Sequence, residues 1–413
     1  MYSMKVPPAI RLMLLCGIGS AVVACAGRTV NVTTGSGATV PAITAADLST
    51  RLYGYADDSM MGRRIGTPGN MMATRYIESE VRRMGLEPAG DSGTFFQDIH
   101  PDSIRGQPRG TTFSPGTARN VVAILRGSDP VLRNEYVAIG AHNDHIGIRK
   151  QAADYDSIRT FNIELDRSGN PFWDARIPAE RRKAAQAAVR VNVDSLHRIR
   201  PARIDSINNG ADDDGSGTVA VLEIAQNLAA APVKPKRSIL FVWHTGEESG
   251  LLGSKWFTEH PTVPRDSIVA QLNLDMVGRG EAVDLAGGGP NYLQLVGSRR
   301  VSTELGDLVE KINSERATPF VFDYQYDKNG DPNRIYCRSD HYSYARYGIP
   351  ITFFTTGLHA DYHQVTDEPQ YINYDHLKRV AEFVRDIAVR VANLDHRLVV
   401  DKPRGDPTAA CVQ

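Results

Sequence analysis

Charge of one sign is the first thing this chain lacks. Its 413 residues carry 47 lysines and arginines against 48 aspartates and glutamates, a formal net charge of −1. That balance gives no global pull toward nucleic acid or an anionic membrane, so no nucleic-acid partner is expected. Long apolar runs are lacking too. The longest, from Leu12 to Val23, is too short for a permanent membrane span. Cysteine is scarce, with four in the whole chain. No internal repeat is visible, which excludes a repeat array. No serine sits in a nucleophile elbow, because Gly215-Ser216-Gly217 lacks the five-residue glycine spacing. Asp327, Asn329 and Asp331 hint at a calcium loop, but Pro332 stands where an EF-hand needs glycine and no terminal glutamate follows at the required spacing.

What is present begins with a leader. Lys5 and Arg11 precede the apolar run, and Val22-Val23-Ala24-Cys25 closes it. This pattern predicts an export signal over 1–24. The four-residue ending resembles the bacterial lipobox, which implies a lipidated Cys25 as the first mature residue. A Gly/Thr/Ser-rich stretch follows and reads as a flexible tether over 25–42. The expectation is an exported bacterial lipoprotein, periplasmic or anchored to the outer membrane. Cys337 and Cys411 then remain in an oxidising compartment where they are free to pair or to stay apart.

The body, 43–400, shows helical patterns near Ala45 and over 71–84, 219–228 and 377–391, the last with Asp375 as its expected N-cap. Apolar strand candidates fall at 120–125, 136–141, 238–243, 268–274, 292–296 and 349–354. Such runs suit strands buried on both faces. The expected class is therefore α/β, with a mixed, mostly parallel central sheet flanked by helices on both faces. The segment 148–207 is an insertion between two candidate site loops, containing a charged, alanine-rich helix at 178–190. It reads equally as a lid or specificity element over or beside the pocket, or as a solvent-facing decoration. A short tail, 401–413, ends the chain.

Five potential metal ligands lie past these strands or in a glycine-rich turn: His142, Asp213, Glu248, Asp275 and His363. Strand 136–141 delivers His142, and Asp144 is placed to steady its ring. His145 reads as a loop neighbour. Asp212-Asp213-Asp214 stand together before a helix, and three adjacent carboxylates require cations or helix amides to compensate them. Glu247-Glu248 follows a buried run, so one carboxylate can hold metal while the other shuttles a proton. Arg279 and Arg338 are placed either to bind a substrate carboxylate or to form structural pairs. The tyrosines at 324, 326, 336, 342 and 344 either line a pocket or pack in the core. Convergence of the five ligands at one sheet edge reads as a two-metal hydrolase.

The order H-x-D, G-A-x-D-x-x-S-G, G-E-E-x-G-L-x-G-S, N-x-D-M-x-G and a late Y-H strongly resembles the M28 family of zinc aminopeptidases and carboxypeptidases. The likeness covers about residues 44–395, including the stretch 58–69 and Ser339-Asp340-His341. It implies a zinc-exopeptidase fold acting on peptides. It also implies His142 and Asp275 on one zinc, Glu248 and His363 on a second, and Asp213 bridging them. Glu247 would be the general base, Asp144 the support of His142, and Tyr362 a phenol near the oxyanion. Manganese or cobalt also suit such donors. The long insertion departs from the family pattern, and no protease-associated domain fits before His142. Aminopeptidase action is expected first. Carboxypeptidase or dipeptidase action, glutaminyl cyclase chemistry and a non-catalytic peptide-binding lipoprotein stand as alternatives. Oligomeric state is not legible.

Overall fold

The computed structural model describes residues 39–100, 113–114, 116–285, 287–403 and 405–413. The expected signal, Cys25 and most of the tether lie outside the described residues. In chain order the helices are α1 (Ala45–Tyr55), α2 (Pro68–Arg83), α3 (Tyr155–Arg167), α4 (Ala179–Ala188), α5 (Val193–Ile199), α6 (Gly217–Ala230), α7 (Leu252–Glu259), α8 (Thr303–Ser314), α9 (His341–Ala345) and α10 (Tyr374–Ala392). The strands are β1 (Glu87–Pro88), β2 (Phe96–Asp98), β3 (Arg119–Leu125), β4 (Tyr136–His142), β5 (Gly147–Asp154), β6 (Ile204–Asn208), β7 (Ser238–His244), β8 (Ile268–Leu274), β9 (Tyr292–Val296), β10 (Val321–Asp323) and β11 (Ile351–Thr355). No described helix is long and apolar enough to cross a membrane.

Nine strands form one sheet in the order β1-β3-β7-β4-β8-β11-β9-β10, with β2 also paired to β3. The four central strands β7, β4, β8 and β11 run parallel, while β3 and β9 flank them antiparallel. Every residue of β4, β7 and β8 is buried. Alternation then splits each strand between two cores. Ile239, Phe241 and Trp243 of β7 join one cluster, and Leu240 and Val242 join the other. Helices α6 and α10 cover the first face, and α7 and α9 the second. The expected mixed α/β sheet with helices on both faces is what forms.

Two local expectations need correction. Asn373, not Asp375, caps α10, because its side chain accepts from the His376 amide and the helix already begins at Tyr374. The insertion is not wholly helical. It opens and closes with an antiparallel ribbon in which Ile148 pairs with Ile207, and α3, α4 and α5 lie between. Helix α4, which answers to the expected 178–190 helix, buries no residue, nor does α5. Helix α3 buries Tyr155, Asn162 and Leu165, so the insertion is part decoration and part packed wall. Cys337 and Cys411 form a disulfide across 74 residues.

The motif at 58–69 has a structural job. Arg63 has 0% exposure. Its Nη1 donates to the carbonyls of Asn209 at 2.6 Å and Tyr55 at 3.1 Å, and its Nη2 to that of Gly210 at 2.8 Å. Those bonds fix the chain just before Asp213. Replacing Arg63 with methionine strips this donor from the buried carbonyls of Tyr55 and Asn209, while that of Gly210 keeps the Gly215 amide, and we expect urea unfolding to show a stability loss of about 2 kcal/mol or more. A loss under about 1 kcal/mol would contradict that role for Arg63.

Candidate functional site

The carboxyl ends of the parallel strands meet along one edge, the usual location of a binding crevice in an α/β sheet. His142 is the last residue of β4 and lies in register with His244 at the end of β7. Glu247 and Glu248 occupy the turn after β7. That turn needs Gly246 at φ +70°, where a Cβ would come within 2.6 Å of Ile65. Asp275 follows β8, His363 follows β11, and Asp213 arrives in the tight turn before α6.

The five side chains converge. Asp213 Oδ1 lies 3.1 Å from His142 Nε2, while its Oδ2 lies 3.1 Å from His363 Nε2. Glu248 Oε2 is 3.0 Å from His363 Nε2, and Asp275 Oδ1 is 3.7 Å from His142 Nε2. Two donor groups therefore share one carboxylate. A sixth residue joins them. His145 Nδ1 lies 2.8 Å from Glu248 Oε1 and 3.9 Å from Asp213 Oδ2. From the sequence, His145 reads as a support behind the ligands or as part of the loop, not as a ligand itself. Its signal is its place in the short segment that follows His142 at the end of β4. Both His145 and His363 thus close on the Glu248 side of the site, each through its own glutamate oxygen.

The three consecutive aspartates divide their work. Asp212 Oδ1 accepts from the Gly278 amide at 2.7 Å, and its Oδ2 faces His359 Nε2 at 3.1 Å. Asp214 accepts from the amides of His142, Gly217 and Met276. The Gly217 bond uses a helix amide, as the charge argument required. Of the three, Asp213 is the one whose carboxylate faces imidazoles, those of His142, His145 and His363. Asp367, which the sequence reading missed, takes the backbone amides of Asp212 and Asp213, each at 3.0 Å. The Asp213–Asp214 peptide is cis.

Electrostatics fit a cation centre. Burial works to lower His142, but Asp275, Asp214 and Asp213 outweigh it and hold the imidazole well above its ordinary pKa. His363 is pushed up to about 10, chiefly by Glu248 and Asp213 against burial. Burial and Asp213 push Glu248 upward, yet the facing imidazoles bring it down to about 2. Buried and unpartnered for hydrogen bonding are His142 Nε2, both His145 nitrogens and Glu248 Oε1. Imidazole nitrogens and carboxylate oxygens gathered within 4.8 Å, as His142–Asp213–Asp275 and His145–Asp213–Glu248, are donors that suit zinc.

Beside these ligands lies an open cavity of about 330 Å³. Glu247 lines it, with Met276, Ile335, Phe353 and Leu358 as its apolar wall. Burial holds the Glu247 carboxyl well above the ordinary range; His142 opposes this, and Glu248 and Asp275 add to it. Asp144 is fully buried but supports His142 otherwise than expected. Its backbone oxygen is the close partner of His142 Nδ1, at 3.0 Å. Its carboxylate stands 3.7 Å from that nitrogen and accepts the Glu247 amide at 3.1 Å. One residue therefore ties a ligand to its neighbouring glutamate.

Tyr362 stacks on His363 with ring centroids 3.9 Å apart, and its hydroxyl accepts from Arg338 at 2.7 Å. Arg338 lines the cavity. Arg279 does not: it is buried in pairs with Asp284 and Asp361, so the structural alternative holds for it. Of the five tyrosines, Tyr326 lines the cavity, Tyr336 and Tyr344 pack in the second core with Tyr342 against it, and Tyr324 donates to Glu310.

Comparison with known proteins gives the fold and the family. Leucine aminopeptidase 1 of Sclerotinia sclerotiorum is 30% identical over 230 residues, 53% of this chain and 55% of that protein. The chain thus spans little more than half the length of that curated relative. A Zn-dependent exopeptidase from Parabacteroides distasonis shares the fold with a TM-score of 0.54 and 18% identity, over 85% of this chain and 99% of its own. Porphyromonas gingivalis glutaminyl cyclase shares it with a TM-score of 0.51 and 17% identity, over 83% and 97%. The sequence model of peptidase family M28 matches residues 180–388. That stretch takes in Asp213, Glu247, Glu248, Asp275 and His363, with β4 presenting His142 to them from outside it, and the chain is a member of peptidase family M28.

Proposed function

We propose that this chain is an exported metallo-exopeptidase that holds two zinc ions and releases N-terminal residues from peptides. The observation that carries the reading is the division of Asp213, whose two oxygens face different imidazoles at 3.1 Å each. His142 and Asp275 would hold one ion, His363 and Glu248 the other, with Asp213 between them. Zinc held by these residues would supply Lewis-acid chemistry, lowering the pKa of water from about 16 toward about 7 and polarising the scissile carbonyl. Among the alternatives, glutaminyl cyclase chemistry works with one metal, and the second donor group weighs against it. The name of the Sclerotinia relative supports the aminopeptidase reading. Export and lipidation at Cys25 rest on the leader pattern.

The chain's own groups supply the rest. Glu247 lines the cavity within an acidic, buried setting, suited to taking the proton of the attacking water and passing it to the departing amine. Asp144 fixes that glutamate's backbone. Arg338 donates to the oxygen of Tyr362, which leaves the tyrosine's own proton free to stabilise the developing oxyanion.

Three measurements test the proposal. A peptide amide with a free N-terminus should be cleaved and its acetylated twin spared; equal cleavage of both contradicts the aminopeptidase reading. Glu247→Gln should keep its zinc while kcat falls by about 10²–10⁴-fold, and normal turnover in that variant removes Glu247 from the mechanism. Metal analysis should find two zinc ions per chain in the parent protein and neither retained tightly in Asp213→Ala. One ion per chain together with pyroglutamate release would instead identify a cyclase.

A further inference from the structure

A second cavity, also of about 330 Å³, adjoins the catalytic one at Tyr326, Gly357 and Leu358, which line both. Its outer wall is the inserted segment, contributed by Asp166 near the end of α3 and by Pro171, Trp173 and Ile177 beyond it. The cavity therefore owes its shape to the part of the chain that departs from the family pattern.

Its polar groups are out of balance. Gln294, 1% exposed, gives its Nε2 to the Tyr292 hydroxyl at 2.7 Å and leaves Oε1 without a partner. Asp166 Oδ1 is likewise buried and unpartnered, and among the described residues no arginine or lysine pairs with that carboxylate. Burial raises Asp166 to about 7; His359 opposes this and Asp361 adds to it. The other charges are already consumed. Asp174 holds Arg176 at 2.8 Å, and the free end of that guanidinium donates to Gln325. What remains is a carboxylate, an amide acceptor, one indole donor at Trp173 and an apolar lining.

Resting on the peptidase reading above, we propose that this second cavity binds a lysine or arginine side chain at the N-terminus of the peptide substrate. The aliphatic stem lies along Tyr326, Leu358 and Trp173, and the cationic head reaches Asp166 and Gln294. Only a long side chain with an apolar stem and several terminal donors matches that lining. A desolvated carboxylate facing such a head discriminates strongly against an uncharged stem of similar shape.

The test compares full-length, zinc-loaded protein with its Asp166→Asn variant. Substrates carry lysine, arginine, norleucine or leucine before the same leaving group, and calorimetry measures argininamide binding separately. Lysine or arginine should exceed norleucine in kcat/KM by about tenfold or more. Asp166→Asn should erase that margin while norleucine and leucine keep their rates, and should weaken argininamide to the same extent. A parent protein that prefers norleucine to lysine and arginine overturns the proposal, as does an unchanged ratio in the variant. If no substrate is cleaved yet argininamide binds in an Asp166-dependent way, the peptidase reading fails and the basic site stands.

Discussion

The placement of one carboxylate, that of Asp213, is the constraint on which the site depends. A carboxylate buried at a sheet edge is costly unless it is paired or hydrogen-bonded, and the chain meets that cost with backbone amides for the flanking aspartates and with imidazoles for Asp213. Arg63 takes the carbonyls of Asn209 and Gly210. Asp367 takes the amides of Asp212 and Asp213. Backbone amides satisfy the side chains on either side. The turn is thereby rigid from both directions, while the Asp213 oxygens are left to the imidazoles of His142 and His363. Preorganisation of this kind lets a shared ligand hold two donor groups in place without itself rearranging.

Much of this was legible in the sequence because parallel strands buried on both faces are written as uninterrupted apolar runs. Residues at the ends of those runs, His142, Glu248 and Asp275, follow directly from the pattern. Strand β8 coincides with its expected span, and β3, β4 and β7 differ by a residue. His363 was harder. It lies beyond β11 in a loop, where a lone histidine is usually incidental, and it gained weight only beside the other four candidates. The edge strands β1, β2 and β10 are too short to impose a period, and β5 is largely exposed, with no apolar alternation to read. His359 and Asp367 act through partners remote in the chain, and a single sequence carries no trace of such pairings. Asp375 was a plausible cap by type, but Asn373 reaches the right amide.

The loop carrying Tyr362 and His363 shows how the ligand without a strand beneath it is secured. His363 adopts φ +56°, a left-handed conformation that a residue with a Cβ holds only when its surroundings impose it. The imposing group is Asp361, which is fully buried. Its carboxylate receives Arg279 at 2.8 Å, Arg159 at 3.2 Å and the Thr366 hydroxyl at 2.7 Å. Arg159 belongs to α3 and packs over the Tyr371 ring at 3.7 Å, so the insertion contributes one arm of the clamp. The lid and decoration readings of that segment are therefore both incomplete. Its outer helices α4 and α5 touch little, whereas α3 is wired to the residue that sets the backbone of a proposed zinc ligand, and the same helix supplies Asp166 to the adjoining cavity. Ligand geometry and the pocket beyond it thus rest on one element, and a change in how α3 packs reaches both.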